Sequence, residues 1–121
     1  MKIEGEAKLL RIFVGSADKV NNTPLYEFIV FAAKRYGLAG ATVLRGVMGY
    51  GANSMVHSAK ILSISEDLPI VIELIDQEDK IDGFIASVEK YFDNLKYGVL
   101  VTSEKVHVLH YASAAKKRSI P

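Results

Sequence analysis

The 121-residue sequence contains no cysteine, which excludes a disulfide framework, a thiolate nucleophile and a zinc–thiolate centre. Long hydrophobic runs are also missing. Uninterrupted apolar stretches such as residues 28–33 fall far short of the ~20 residues that a transmembrane helix needs, so membrane insertion is not expected. Glu4 and Glu6 stand where a signal peptide would carry its apolar core. We therefore expect a soluble, cytoplasmic protein.

The sequence also lacks an excess of charge of either sign. The chain has 15 Lys plus Arg against 14 Asp plus Glu, a net charge of +1, which cannot generate the broad positive field that nucleic-acid binding usually requires. The one dense basic run, at residues 116–118, is interpreted as a solvated end, so nucleic acid is not an expected partner. With 50% apolar and 24% charged residues, the composition is that of a globular protein. A single domain over residues 1–121, with mobile ends at 1–6 and 112–121, is the expectation.

The first half of the chain predicts a strand followed by a helix. Residues 8–14 alternate, placing Leu10, Ile12 and Val14 on one face. Pro24 suits the first position of a helix, and an apolar stripe at helical spacing then runs to Tyr36. Gly37 provides a left-handed end to the helix, and the β-rich segment over residues 40–47 predicts the second strand.

The second half repeats this order. Pro69 precedes a strand over residues 70–75, and Asp76 is the expected cap of a second helix with an apolar stripe through residues 81–92. Two further strand segments, 97–101 and 106–111, are predicted with a kink at 103–104 between them.

Two strand–helix–strand units in succession predict an α+β fold, the ferredoxin-like split βαβ sandwich, in which an antiparallel sheet carries both helices on one face. The other face would then display Leu9, Phe13, Val71 and Ile75 without a covering layer. Exposed apolar patches of this kind mark interfaces, so oligomerisation through the helix-free face is predicted.

Glycines concentrate between the first helix and the third strand, in the run Gly46-Val47-Met48-Gly49-Tyr50-Gly51. They let backbone amides approach an anion closely, and Arg45, Asn53, His57 and Lys60 supply donors nearby. The run is neither a dinucleotide fingerprint nor a Walker loop. Two interpretations stay open: a flexible hinge at the start of a long loop over residues 52–67, with a short ribbon of its own, or a ligand contact.

Other polar residues receive structural interpretations. In a strand, His107 and His110 would lie on opposite faces, which prevents shared coordination of one ion. The acids at 76–82 are explained by the helix dipole, and Glu73 is expected to pair with Arg11 or Arg45. No nucleophile elbow or acid–base pair is visible, so the protein is not expected to be an enzyme.

The combination of several short motifs resembles a family of uncharacterised bacterial and archaeal PII-like proteins from about residue 10 to residue 111. The motifs are Leu10-Arg11-Ile12-Phe13-Val14-Gly15, Pro24-Leu25-Tyr26-Glu27, the run from Gly37 to Gly46, Gly49-Tyr50-Gly51, His57-Ser58-Ala59 and Glu66-Asp67-Leu68-Pro69. The resemblance implies a ferredoxin-like subunit in a homotrimer, with the sheets inside and long loops projecting. It also implies a signalling protein that responds to a small-molecule effector, acts on a regulated protein partner, and binds adenine nucleotides in clefts between subunits.

Gly49-Tyr50-Gly51 is similar to the Gly-Phe-Gly at the base of the PII loop, and Asn53 stands where PII proteins place a glutamine near the ligand. Ile70 replaces the PII lysine after Leu-Pro, and residues 93–98 have no counterpart of the second phosphate loop. The ligand can therefore be an adenine nucleotide or a smaller anion. The candidate ligand-binding residues are Arg45, Gly46, Gly49, Tyr50, Gly51, Asn53, His57 and Lys60. The alternative is a CutA-like trimer that binds a divalent metal through His57.

Overall fold

The computed structural model describes residues 4–50, 57–58, 67–93, 95 and 98–114, and of residues 57 and 58 it describes the backbone alone. Within these residues the main elements are β1 (Gly5–Gly15), α1 (Leu25–Tyr36), β2 (Gly40–Arg45), β3 (Pro69–Asp76), α2 (Glu78–Val88) and β4 (Leu100–Val108). A 3-10 turn, Glu89–Phe92, extends α2. Two short ribbons pair Lys19–Val20 with Thr23–Pro24 and Met48–Gly49 with His57–Ser58.

The four long strands form one antiparallel sheet in the order β2-β3-β1-β4. This order and the β1-α1-β2 and β3-α2-β4 connections are those of the predicted ferredoxin-like split βαβ sandwich. Alternation along the two central strands separates the faces. The core face of the sheet contributes Leu10, Ile12, Val14, Ile70, Ile72 and Leu74, all buried.

Both helices cover that same core face. Their buried side chains, Leu25, Ile29 and Ala33 of α1 and Ile81, Phe84 and Val88 of α2, belong to one cluster with those of β1 and β3. The predicted apolar stripes thus face the core as expected. The described chain contains no helix whose length and apolar character would let it cross a bilayer.

Helix α1 ends where the sequence predicts. Gly37 has φ +93°, and the N–H groups of Gly37 and Leu38 both donate to the carbonyl of Ala33, at 3.1 and 3.0 Å. This is the left-handed ending that glycine adopts at low cost. The start differs by one residue, because Pro24 precedes the first helical turn instead of opening it.

Asp76 does not cap α2, contrary to the expectation. It is the last residue of β3, and its carboxylate accepts the N–H of Gln77 at 2.6 Å and the N–H of Ala39 at 2.9 Å. Because both oxygens bind backbone amides of the connections flanking β2 and β3, the side chain joins two strand ends. Gln77 takes the position before the first turn of α2 without a side-chain cap.

The last strand is also simpler than predicted. β4 runs without interruption through Ser103 and Glu104, which pair with Leu10 and Leu9 of β1. At the other end of the strand pair, Gly5 and Glu6 pair with Val108 and His107, although the sequence assigned them to a mobile end.

Residues 109–114 follow β4 without regular structure, and Tyr111 connects the two edges of the sheet. Its hydroxyl donates a hydrogen bond to the carbonyl of Ala39, just before β2, and its ring lies beside Gly40. Since β4 and β2 are the opposite edges of the sheet, the segment after β4 brings this side chain to the far edge.

Candidate functional site

The glycine root, defined here as residues 46–50, lies where β2 ends beside the start of β3. The N–H of Gly46 donates to the carbonyl of Pro69 at 2.7 Å. A Cβ at Gly46 would lie 2.7 Å from Cγ of Pro69, and one at Gly49 would lie 3.3 Å from the same atom. Such distances leave no room for a side chain at Gly46 and little at Gly49. The glycines are therefore required here by close packing on a proline.

The other side chains of the glycine root are open to solvent. Tyr50 is 72% exposed and Val47 75% exposed, and Arg45, which immediately precedes the root, is exposed too. An exposed aromatic ring and a guanidinium next to closely packed glycines can contact the base and the phosphate of a nucleotide. Four of the predicted site residues, Arg45, Gly46, Gly49 and Tyr50, thus lie together at one end of the sheet.

His57 comes back to the same place through its backbone. In the ribbon, His57 pairs with Gly49 and Ser58 pairs with Met48. This ribbon, at the base of the long connection, is formed by other residues than those from which a ribbon was predicted. Gly51, Asn53 and Lys60, and the residues 60–64 that suggested the ribbon, lie outside the described residues, as does the basic run at 116–118.

Asp67 is a feature that the sequence analysis did not single out. It is only 4% exposed, and its carboxylate accepts the N–H of Ala17 at 2.6 Å. Leu68 and Ser16 also bind each other: the N–H of Ser16 donates to the carbonyl of Leu68, and the N–H of Leu68 donates to Oγ of Ser16, both at 2.9 Å. The chain between β2 and β3 is therefore fixed at its return end as well as at the glycine root.

The helix-free face of the sheet is built in rows, because residues opposite one another in the register share a face. The row nearest the glycine root is fully apolar and crosses all four strands: Leu44, Val71, Phe13 and Leu100. Its outer members, Leu44 and Leu100, are 49% and 56% exposed. Leu9 and Ile75 pair two rows further on, so all four apolar residues predicted for this face lie there.

Charges occupy the middle of that face. The guanidinium of Arg11 binds Glu73 of β3, with Nε 2.8 Å from Oε2, and its Nη1 binds Glu104 of β4. These hydrogen bonds, first that of Glu73 and then that of Glu104, raise the pKa of Arg11 above its ordinary value. The predicted partner of Glu73 is thus Arg11 rather than Arg45. The middle of this face therefore carries one arginine held between two glutamates, next to the apolar row.

The acids around the start of α2 surround a lysine. Nζ of Lys8 lies 2.6 Å from Oδ1 of Asp82 and 3.7 Å from Oε1 of Glu78. The hydrogen bond to Asp82 is the main cause that raises the pKa of Lys8. A cavity of about 500 Å³ opens beside these side chains, lined by Glu6, Ala7, Gln77, Glu78, Asp79, Asp82 and Lys105. In the described part of the chain, no three metal-binding side chains converge.

Comparisons with known proteins show the family to which the chain belongs. It matches the family DUF190, described as "Uncharacterized ACR, COG1993", over residues 7–108. The chain belongs to this family. A UPF0166 protein of the bacterium Aquifex aeolicus is 36% identical over 103 residues, covering 85% of this chain and 93% of the relative. A UPF0166 protein of the archaeon Methanocaldococcus jannaschii is 33% identical over 103 residues, covering 85% and 92%.

A solved structure shares the fold. CPII, a nitrogen regulatory PII-like protein from Thiomonas intermedia K12 whose structure is bound to ADP, AMP and bicarbonate, superposes with a TM-score of 0.61. The identity is 19%, and the match covers 85% of this chain and 90% of CPII. This chain therefore has the PII-like form of the ferredoxin-like fold, which confirms the resemblance inferred from the sequence.

Proposed function

We propose that the protein is a PII-like regulatory protein that binds a small anionic ligand, an adenine nucleotide first of all, at the glycine root. The observation that carries the proposal is the pair of exposed side chains, Arg45 and Tyr50, at the two ends of a backbone segment that packing on Pro69 holds in place. The binding of ADP and AMP by CPII, a protein of the same fold, supports this choice of ligand.

We further propose a homotrimer assembled through the helix-free face. The apolar row from Leu44 to Leu100 supports this, because an exposed apolar patch of this kind marks an interface. Assembly would place the glycine root of one subunit beside a neighbour, so that the ligand contacts two subunits. The connection between β2 and β3 would transmit ligand binding to a regulated partner protein.

Calorimetric titration with ATP, ADP, AMP and bicarbonate tests the ligand. We expect heat with at least one adenine nucleotide, and about tenfold or greater loss of affinity in Arg45→Ala, because a charge-assisted hydrogen bond to phosphate is removed. Arg35→Ala is the matched control, since Arg35 is an exposed arginine in the last turn of α1. Absence of heat with every nucleotide, or equal losses in the two variants, would contradict the proposed site.

A further inference from the structure

The turn after β1, Gly15 to Asp18, is a fixed platform. Oδ2 of Asp18 accepts the N–H of Gly15 at 3.2 Å, and the side chain of Asp18 is buried. The carbonyl of Asp18 accepts the N–H of Leu25, the first residue of α1, at 2.7 Å. The turn is therefore held both by its own side chain and by the start of a core helix.

The Asp67 carboxylate sits in this turn. Besides the 2.6 Å bond from the N–H of Ala17, its Oδ1 lies 3.4 Å from the hydroxyl of Ser16. Burial of a carboxylate costs free energy that only hydrogen bonds or counter-charges offset. A charge-assisted bond to a backbone amide is among the stronger ones. Asp67 is thus seated by specific contacts and does not lie loosely on a surface.

Gly15 makes the seat possible. A Cβ at this position would lie 2.6 Å from Oδ1 and 2.8 Å from Cγ of Asp67, distances that real Cβ atoms do not show. Any other residue would therefore push the carboxylate away from Ala17. Gly15 and Asp67 therefore form a close contact between the end of β1 and the residues directly before β3.

Pro69 connects this seat to the glycine root. It follows Asp67 and Leu68 directly, pairs with Gly15 in the sheet, and its carbonyl accepts the N–H of Gly46. We propose that Asp67 is a latch: seated in the Gly15–Asp18 turn, it fixes Pro69 and thereby sets the position of the glycine root. The inference rests on the proposed function only in that the glycine root is taken as the ligand site.

Amide hydrogen exchange without ligand tests the latch. In Asp67→Ala, we expect exchange of the Gly46 amide to become about tenfold faster or more, relative to the amides in the middle of β3, because Pro69 loses its anchor. Asp76→Ala is the matched control. Asp76 is equally buried, at the other end of β3, and also accepts a backbone N–H at 2.6 Å. If the exchange rate of the Gly46 amide, relative to the amides in the middle of β3, is unchanged in Asp67→Ala or rises equally in Asp76→Ala, the proposal is overturned.

A second variant approaches the same contact from the other side. Gly15→Ala should speed exchange at Gly46 as Asp67→Ala does, and adding it to Asp67→Ala should change the rate less than about twofold, because coupled residues are not additive. Fully additive effects would refute the latch. Should Asp67→Ala fail to fold, Asp67→Asn gives the comparison in a smaller step.

Calorimetry separates the latch from the ligand site. If Gly46 responds to the loss of Asp67 and no nucleotide binds, the latch stands and the proposed function fails. If nucleotides bind and Gly46 does not respond, the latch fails and the proposed function stands. With both correct, Asp67→Ala weakens nucleotide binding although Asp67 is buried and lies outside the glycine root.

Discussion

A buried aspartate lies at each end of the central strand β3. Asp67 precedes it and Asp76 ends it, and each accepts backbone N–H groups from a neighbouring connection. Their burial, 4% and 1% exposed, means that neither is a surface charge. Both ends of β3 are therefore fixed by side chain to backbone bonds in addition to the ladder of the sheet.

Single residues differ in how well the sequence predicts them. The pairing of Glu73 with an arginine follows from one rule, that a carboxylate in an apolar strand needs a counter-charge. The seat of Asp67 depends on a turn about 50 residues away, so no local pattern could reveal it. The available signals were Gly15 at the end of a strand and an acid directly before Leu68-Pro69.

The lysine at the start of the sheet gives a prediction about pH. The raised pKa of Lys8 means that its pairing with Asp82 contributes fully below the ordinary value of 10.5 and is lost as pH rises through the higher folded value. We expect Lys8→Met to lower the urea midpoint slightly, by an amount that is constant from neutral pH to about 10.5 and then shrinks. Lys19→Met, at an exposed lysine, is the control. A difference between Lys8→Met and wild type that persists undiminished at higher pH would contradict the assignment.

At the scale of elements, the ends of helix α1 could be predicted from the sequence, whereas the uninterrupted course of strand β4 could not. Pro24 and Gly37 delimit α1 to within one residue, because their backbone preferences are local. The kink expected at Ser103-Glu104 is absent, because pairing with β1 holds these polar residues in an extended strand. Tertiary pairing here overrides the local pattern.

The contact of Tyr111 with Ala39 gives a prediction at this scale. Tyr111→Phe removes one hydrogen bond and keeps the ring, so we expect a loss of about 0.5–1.5 kcal/mol in unfolding free energy. The amide of Gly40 should exchange faster, since β2 loses its tie to the segment after β4. Tyr26→Phe, on α1, is a control with the same chemical change. Equal effects of the two variants on Gly40 would show that the contact does not stabilise this edge.

At the scale of the whole molecule, both helices cover one face of the sheet, and among the described residues no helix lies on the other. The sequence predicted this asymmetry, because the split βαβ arrangement places both helices on one face. The rows of side chains on the helix-free face could not be predicted from the sequence, because they depend on the register of β2 and β4 with their neighbours. The candidate site was predictable in part. The glycines and Arg45 can be recognised from the local sequence, whereas the packing of the glycines on Pro69 depends on the fold.

Assembly through the helix-free face is tested by a charge placed in its apolar row. Phe13→Glu should convert a trimer into monomers at micromolar concentration, because three carboxylates would be buried in the interface. Phe31→Glu is the matched control, since Phe31 is an exposed phenylalanine on α1. Sedimentation equilibrium distinguishes the outcomes. A monomeric wild-type protein, or an intact trimer of Phe13→Glu, would refute assembly through this face.

The order of the sheet also affects how the chain is made. Both neighbours of β1, the strands β3 and β4, come from the second half of the sequence. On the ribosome, β1 must therefore wait with both edges unpaired until β3 has emerged, and with one edge unpaired until β4 follows, and its pairs join residues more than 50 positions apart. Synthesis of this chain thus includes an interval in which the unpaired edges of β1 can pair wrongly with other nascent chains.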